Sequence, residues 1–311
     1  MPYDQILSRG DAAALVPEDV STAMLTSLDA QSVVLDKGTR IPLSRNQSRF
    51  PVLNALPQAY FVNGDTGLKQ TTKAAWANKY LYVEEIATIV PIPEAVLDDS
   101  GFDVWAAIQP LMEAAIVRTF DAAVVFGTGA PASWAAEGNL VGKAVAAGNV
   151  VARGTNSAAN GGLHGDLSDV VAKLEADGQV PNGALANITL KARLRNVRDV
   201  NGNRISLPED IPTPSYDLAG LWPSGLNAAE YLVGDFSKLV VGVRQDMTYK
   251  ILTESVITDN AGNIILNLAQ QDSVAMRLVF RAGYAVANPI NLQEQTEANR
   301  SPFAVLRSSA A

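Results

Sequence analysis

Cysteine is absent from the 311 residues, which removes disulfides, thiolate nucleophiles and thiolate metal sites together. Histidine is nearly absent: His164 is the single copy, so a metal centre would need carboxylates for its other ligands. No basic run occurs, and the formal charge is −8. Counterion release on nucleic acid needs clustered Lys and Arg, so a general nucleic-acid binder is excluded and any contact with DNA has to be local. No apolar run approaches 18 residues, and the opening MPYDQILSRG lacks the charged start and apolar core of a secretion signal. The expectation is a soluble chain made in a cytoplasm, long enough to bury a real core in two domains or one elaborate one.

What is present is organised around residues 100–127, SGFDVWAAIQPLMEAAIVRTFDAAVVFG, which read as one long helix. Ser100 and Asp103 resemble a capping box, and Gly127 fits the stop. Trp105, Ile108, Met112, Ile116 and Phe120 recur at helical spacing, with Val104, Leu111, Ala115 and Ala123 broadening the stripe; Gln109, Glu113 and Asp121 are expected to point elsewhere. At about 1.5 Å per residue the helix would reach roughly 40 Å, suited to running along a flat body. Pro110 predicts a kink or a restart.

Residues 1–14 read as an arm or tail, and PEDVSTAMLTSL from Pro17 as a short helix. Residues 32–42 read as extended, with a proline that suits a sheet edge. Residues 44–92 hold two extended runs about NGDTGLKQTT, the second alternating Trp76, Asn78, Tyr80 and Tyr82 against Ala77, Lys79, Leu81 and Val83. That predicts a hairpin of some sixteen residues a side, on the order of 50 Å of reach. A two-stranded ribbon is marginal alone, so it leans either on a neighbouring subunit or back on its own domain. Residues 127–163 read as a surface excursion or a boundary, 166–178 as a helix, ITLKARLRNVRDVNGNRI as a strand or short helix leading to a turn, and 231–290 as strands with a turn at DNAGN. The fold class is α+β.

Four groups tempt a chemical reading. GTGAPA at 127–132 matches a loose dinucleotide pattern, but it follows a helix rather than a strand and lacks an acid about twenty residues on, so it reads as a helix end. His164, in GGLHGD, has no nucleophile elbow nearby and reads as a surface histidine. Asp259, Asn260 and Asn263 read as a hairpin turn rather than a calcium loop. Glu84 and Glu85, adjacent on a strand, face opposite ways and cannot act as a paired acid and base. No catalytic, cofactor or metal residue is assigned, and the chain is not expected to be an enzyme.

LVPEDVS, SVV, AYFVNGD, IVPIPEAVLDDSGFDVWAAI, FGTG, VGDFSKLVVGVR and FRAGYAVANP occur in an order and spacing that resemble the tailed-bacteriophage major capsid proteins of the Hong Kong 97 type. The resemblance implies an N-terminal arm (1–43), an extended loop (44–92), a peripheral domain with the spine helix and last strands (93–129 and 241–311), and an axial domain (130–240). It implies a self-assembling icosahedral head of pentamers and hexamers in a virion, put together in the host bacterial cytoplasm around double-stranded DNA bound without sequence specificity. The extended loop would lie over a neighbour's peripheral domain. The resemblance allows a separate scaffolding protein or none, and a portal and decoration proteins as further partners; a membrane is not expected. Some members crosslink a loop lysine to a peripheral asparagine; Lys69, Lys73 and Lys79 with Asn260 and Asn263 match no such motif position by position. The alternatives are an encapsulin-like nanocompartment and a nucleotide-dependent enzyme built on GTGAPA.

Overall fold

The computed structural model describes residues 32–62, 68–101, 103–218, 220–259 and 261–308. The arm over residues 1–14 and the helix expected from Pro17 lie outside them. The described chain begins with helix α1 (Val33–Lys37) and strands β1 (Thr39–Pro42), β2 (Gln47–Ala55), β3 (Ala75–Tyr82) and β4 (Glu84–Pro93). Helices α2 (Glu94–Asp99), α3 (Val104–Phe126) and α4 (Leu140–Ala146) follow, then β5 (Val150–Ala152), α5 (Leu163–Ala176), β6 (Gly183–Ala186), α6 (Ile188–Arg195) and β7 (Pro214–Ser215). The remainder is strand: β8 (Ala229–Gly234), β9 (Leu239–Leu252), β10 (Val256–Thr258), β11 (Ile264–Asn267), β12 (Ser273–Val286) and β13 (Phe303–Arg307).

Two sheets carry the body. One has the order β1-β9-β12-β4, the other β5-β13-β8-β6-β7; β2 with β3 and β10 with β11 form separate ribbons. Even-numbered residues of β12 from Met276 to Val286 enter one core with Met112, Ile116, Phe120 and Val124 of α3. The five-stranded sheet is covered on both faces. Phe303 and Val305 of β13 join that same core, whereas Ala304 and Leu306 join a second core with Leu167, Val170 and Leu174 of α5. A strand buried on both sides reads as a continuous apolar run, which FAVL is. Edge-on rings bind the first core together: Phe120 lies 5.8 Å from Phe280 and 6.1 Å from Trp134, which lies 5.0 Å from Tyr284.

Several expectations are corrected. Helix α3 starts at Val104, because Asp103 rather than Ser100 is the cap: its carboxylate accepts from the backbone N–H of Trp105 (3.0 Å) and Ala106 (3.1 Å). Ser100 instead ends α2, its hydroxyl donating to the Leu97 carbonyl. At 1.5 Å per residue α3 is about 35 Å long. It passes through Pro110 without a restart: the ring sits on an exposed side and the one missing N–H would have served only the Ala106 carbonyl. Gly127 closes the helix in the left-handed region, φ 77°, as expected. Leu111 and Ala115 are exposed rather than part of the stripe, and Glu113 is half-buried, accepting from the Tyr249 hydroxyl.

Asp121 is the sharpest departure, being 2% exposed. It accepts from the Ser32 hydroxyl at 2.6 Å and the Val33 N–H at 3.0 Å, so the spine helix anchors Ser32, the cap of α1, whose hydroxyl accepts from the Leu35 N–H at 3.0 Å. That cap turns residues 33–37, expected to be extended, into a helical turn. The extended reading survives in β1, whose Pro42 lies on a sheet edge.

The loop expectation for 127–163 also fails: Trp134, Leu140 and Ala144 are buried, and α4 and β5 lie within it. Helix α5 begins three residues before Asp166, because Gly161 and Gly162 take positive φ and fold the chain sharply ahead of Leu163. Segment 188–195 resolves as helix α6, with Asn187 as its cap. The proposed boundary at 241 does not separate the sheets either, since β13 lies inside the five-stranded sheet built otherwise from residues 150–234. Likewise β4, placed in the extended loop by sequence, pairs along β12 from Glu84↔Ala282 to Pro93↔Ser273.

Candidate assembly interface

The predicted hairpin exists but is shorter. Strands β2 and β3 pair from Gln47↔Tyr82 to Ala55↔Ala75, eight or nine residues a side rather than sixteen, hence about 30 Å of ladder. The alternation holds. Trp76, Asn78, Tyr80 and Tyr82 face outward, and the register sets Leu53 opposite Trp76 and Arg49 opposite Tyr80.

The inner face rests on the ribbon's own body. Leu81 is 1% exposed and packs with Val240, Ala285, Phe50 and Leu43. The contact is close because two glycines face each other in the sheet beneath, Gly242 of β9 and Gly283 of β12. A Cβ on Gly283 would stand 2.1 Å from the Tyr82 carbonyl oxygen, and one on Gly242 2.3 Å from the Leu43 side chain. Polar ties hold the same root: the Trp134 indole donates to the Tyr82 carbonyl at 3.0 Å, the Ile290 N–H to the Leu53 carbonyl at 2.9 Å, and Lys79 pairs with Glu297 at 2.7 Å. Glu297 is held below the usual carboxylate range, chiefly by its hydrogen bond from Lys79. Of the two possibilities for the ribbon, folding back on its own body is therefore true of the root.

Beyond the root the packing ends. Residues 56–62 and 68–74 form no strand, Phe61 is fully exposed and Leu68 is 90% exposed. The Tyr60 hydroxyl and the Gln70 backbone join the two legs. With Trp76 at 65% and Tyr80 at 43% exposure, one long projection carries aromatic side chains in water. Aromatic residues set on a projecting ribbon are the composition of a binding surface. A second apolar surface lies at the far end of β9 and on the β10–β11 ribbon, where Ile251, Val256, Ile264 and Ile265 are exposed.

The residues that tempted a chemical reading stay apart. Gly127 in GTGAPA is the helix C-cap, with no strand before it. His164 is buried, not at the surface: it is the second residue of α5, and burial lowers its pKa from the usual value. Asp166 beside it is also buried and accepts from the backbone N–H of Gly154 (2.6 Å) and Asn156 (2.8 Å), fastening the preceding loop. Asp259 accepts from the Ala261 and Asn263 N–H groups, the expected turn; Asn260 lies outside the described residues. Glu85 pairs with Arg281 on the neighbouring strand. Among the described residues no group of three or more His, Asp or Glu is placed to hold a metal, and no helix is long and apolar enough to cross a membrane.

Sequence reading missed Asp121, Trp134 and the glycine pair. The glycines had a legible signal: VVGVR and RAGYAV each break an apolar strand with glycine, the mark of close backbone approach. Asp121 had none, since its partner Ser32 is 89 residues away.

Comparison with known proteins is consistent across sequence and structure. The model of the phage capsid family matches residues 12–292. Over 289 residues the chain is 24% identical to a major capsid protein of Staphylococcus phage 80alpha, covering 92% of this chain and 86% of that one. A solved chain from Microbacterium phage Oxtober96 is 34% identical with TM-score 0.84, over 98% of this chain and all of the other. One from Mycobacterium phage Cain is 31% identical with TM-score 0.85, over 99% and 100% respectively.

Proposed function

The chain belongs to the phage capsid family and serves as a major capsid protein, and from that premise we propose that its copies close into the icosahedral head of a tailed phage around double-stranded DNA. The ribbon is the joint in this reading. Its root is fastened to its own subunit, and its distal legs and outer aromatic face reach a neighbouring copy, whose surface removes them from water. The observation that carries the reading is the contrast between Leu81, 1% exposed, and Phe61, fully exposed, on one continuous projection. An extended ribbon completed by a second copy is stabilised by association rather than by its own packing.

The sheets suggest the division of labour. The β1-β9-β12-β4 sheet with α3 forms the peripheral unit, and the five-stranded sheet with α5 and α6 the axial unit that meets other copies around the symmetry axes. Assembly in the host cytoplasm, a separate scaffolding protein, a portal and decoration proteins complete the proposal. The role is architectural, with no chemical step assigned to any residue.

Electron microscopy of the purified protein tests it, with closed regular particles expected. Deleting residues 60–74 removes the distal legs but keeps every β2–β3 pair; it should abolish particles and leave soluble, folded subunits. Normal shells from the deletion would refute the role given to the ribbon.

A further inference from the structure

The chain is acidic overall, yet residues 188–204, ITLKARLRNVRDVNGNR, hold five cations against the single carboxylate of Asp199. They escape notice as a basic run because uncharged residues separate them. The fold gathers them. Helix α6 buries Leu190 against the second core and turns Lys191 and Arg195, one helical turn apart, to solvent. After the helix the chain doubles back through 199–203, and Arg198 and Arg204 come side by side as partners of an isolated antiparallel bridge. Asp199 is turned into that loop, accepting from the N–H groups of Asn201 (2.8 Å) and Asn203 (2.7 Å) and from the Asn203 amide (3.0 Å).

Arg193 differs from the others, since it and Arg153 both pair with Glu230 at 2.8 and 2.9 Å. Lys191, Arg195, Arg198 and Arg204 form no ion pair among the described residues. Arg198 donates only to the neutral carbonyls of Arg195 and Val197, which leaves its charge uncompensated, and Lys191 stands 5.3 Å from the Tyr216 ring.

We propose that Lys191, Arg195, Arg198 and Arg204 are the chain's local contact with the phosphodiester backbone of nucleic acid. This rests on the head-assembly reading above. Three of the four groups are guanidinium forks, which match phosphate oxygens two at a time. Set along a helix and its following turn, they meet successive phosphates of a polymer, where a lone carboxylate on a protein partner would satisfy one. No base-reading element accompanies them, so the contact is indifferent to sequence. Exposed Glu209 and Asp210 follow closely in the chain and oppose a polyanion, keeping the grip weak enough for the nucleic acid to leave.

The test is fluorescence anisotropy of a labelled 20-base-pair duplex with the full chain between 50 and 200 mM salt, electron microscopy being run on the same preparations. Three to four neutralised phosphates give a loss of affinity of roughly 40- to 150-fold across that range. The triple variant R195Q/R198Q/R204Q should reduce the salt slope to about one, while K173Q/K250Q, which removes two exposed lysines elsewhere, should leave it unchanged. Equal weakening by both variants means diffuse attraction and overturns the proposal. So does loss of particles in the triple variant with DNA binding intact, which would make the patch a contact between copies. Wild-type particles whose DNA binding ignores the patch refute this inference alone; an absence of particles at every concentration refutes the assembly reading instead.

Discussion

Trp76 separates the stability of one subunit from the stability of the shell. It is 65% exposed in the isolated chain, and a tryptophan offers at most about 250 Å², so association can remove about 160 Å² from water. At about 25 cal/mol per Å² that is an upper limit near 4 kcal/mol per joint. Half coverage gives about 2 kcal/mol, a factor of roughly 30 in each contact. The folded subunit loses what it already covers of the ring, opposite Leu53: about 90 Å², or about 2 kcal/mol by the same measure. Trp76→Ser should therefore raise the concentration threshold for particle formation, read by light scattering, at least tenfold. Its melting temperature, read by calorimetry on unassembled protein, should fall by no more than about 6 °C. An unchanged threshold would refute the claim that the outer face is covered in the shell, and a large drop in melting temperature would show that the ring already stabilises its own subunit.

Asp121 and the glycine crossing give the other predictions. Burial raises the Asp121 pKa from 3.8 to about 6 against the opposing effect of the Ser32 and Val33 hydrogen bonds. With the folded value above the unfolded one, its contribution is fully present below pH 3.8 and is lost as pH rises through about 6, an amount near 3 kcal/mol. Unassembled wild type should therefore gain stability from this group between pH 7 and 5 in denaturant titrations, and Asp121→Asn should flatten that limb; an unaltered slope in the variant would exclude the residue. Gly283→Ala places a Cβ 2.1 Å from the Tyr82 carbonyl oxygen, an atom of the backbone that cannot turn aside. A cost of about 1 to 3 kcal/mol is expected, with faster proteolysis between residues 44 and 82. A variant as stable and as protease-resistant as wild type would show that the ribbon does not sit tightly on β12.

Legibility in the sequence followed the range of the interactions. The spine helix, the outward alternation of Trp76, Tyr80 and Tyr82 and the α+β class rest on local periodicity and could be read directly. The ribbon's length could not, because β4 continues the same alternating pattern while pairing with β12, some 190 residues away. His164 reads as a surface residue for a similar reason: GGLHGD has loop composition, and only the packing of α5 draws the ring inside. Asp121 looked like an outward carboxylate on an amphipathic helix, and its burial depends on an N–H and a hydroxyl from the far side of the core. The cation cluster was hidden by interleaving, since α6 and its turn, not adjacency in sequence, bring the four groups together.

Strand β13 sits between β5 and β8, although more than 60 residues of chain separate it from either. During synthesis those two strands have no common neighbour until residues 303–307 have left the ribosome, so neither core closes before then. A truncated product therefore lacks a strand from the middle of a sheet rather than a dispensable tail. A chain cut short before residue 303 leaves both cores without their shared strand, so it would offer a neighbouring copy an open sheet instead of a wall.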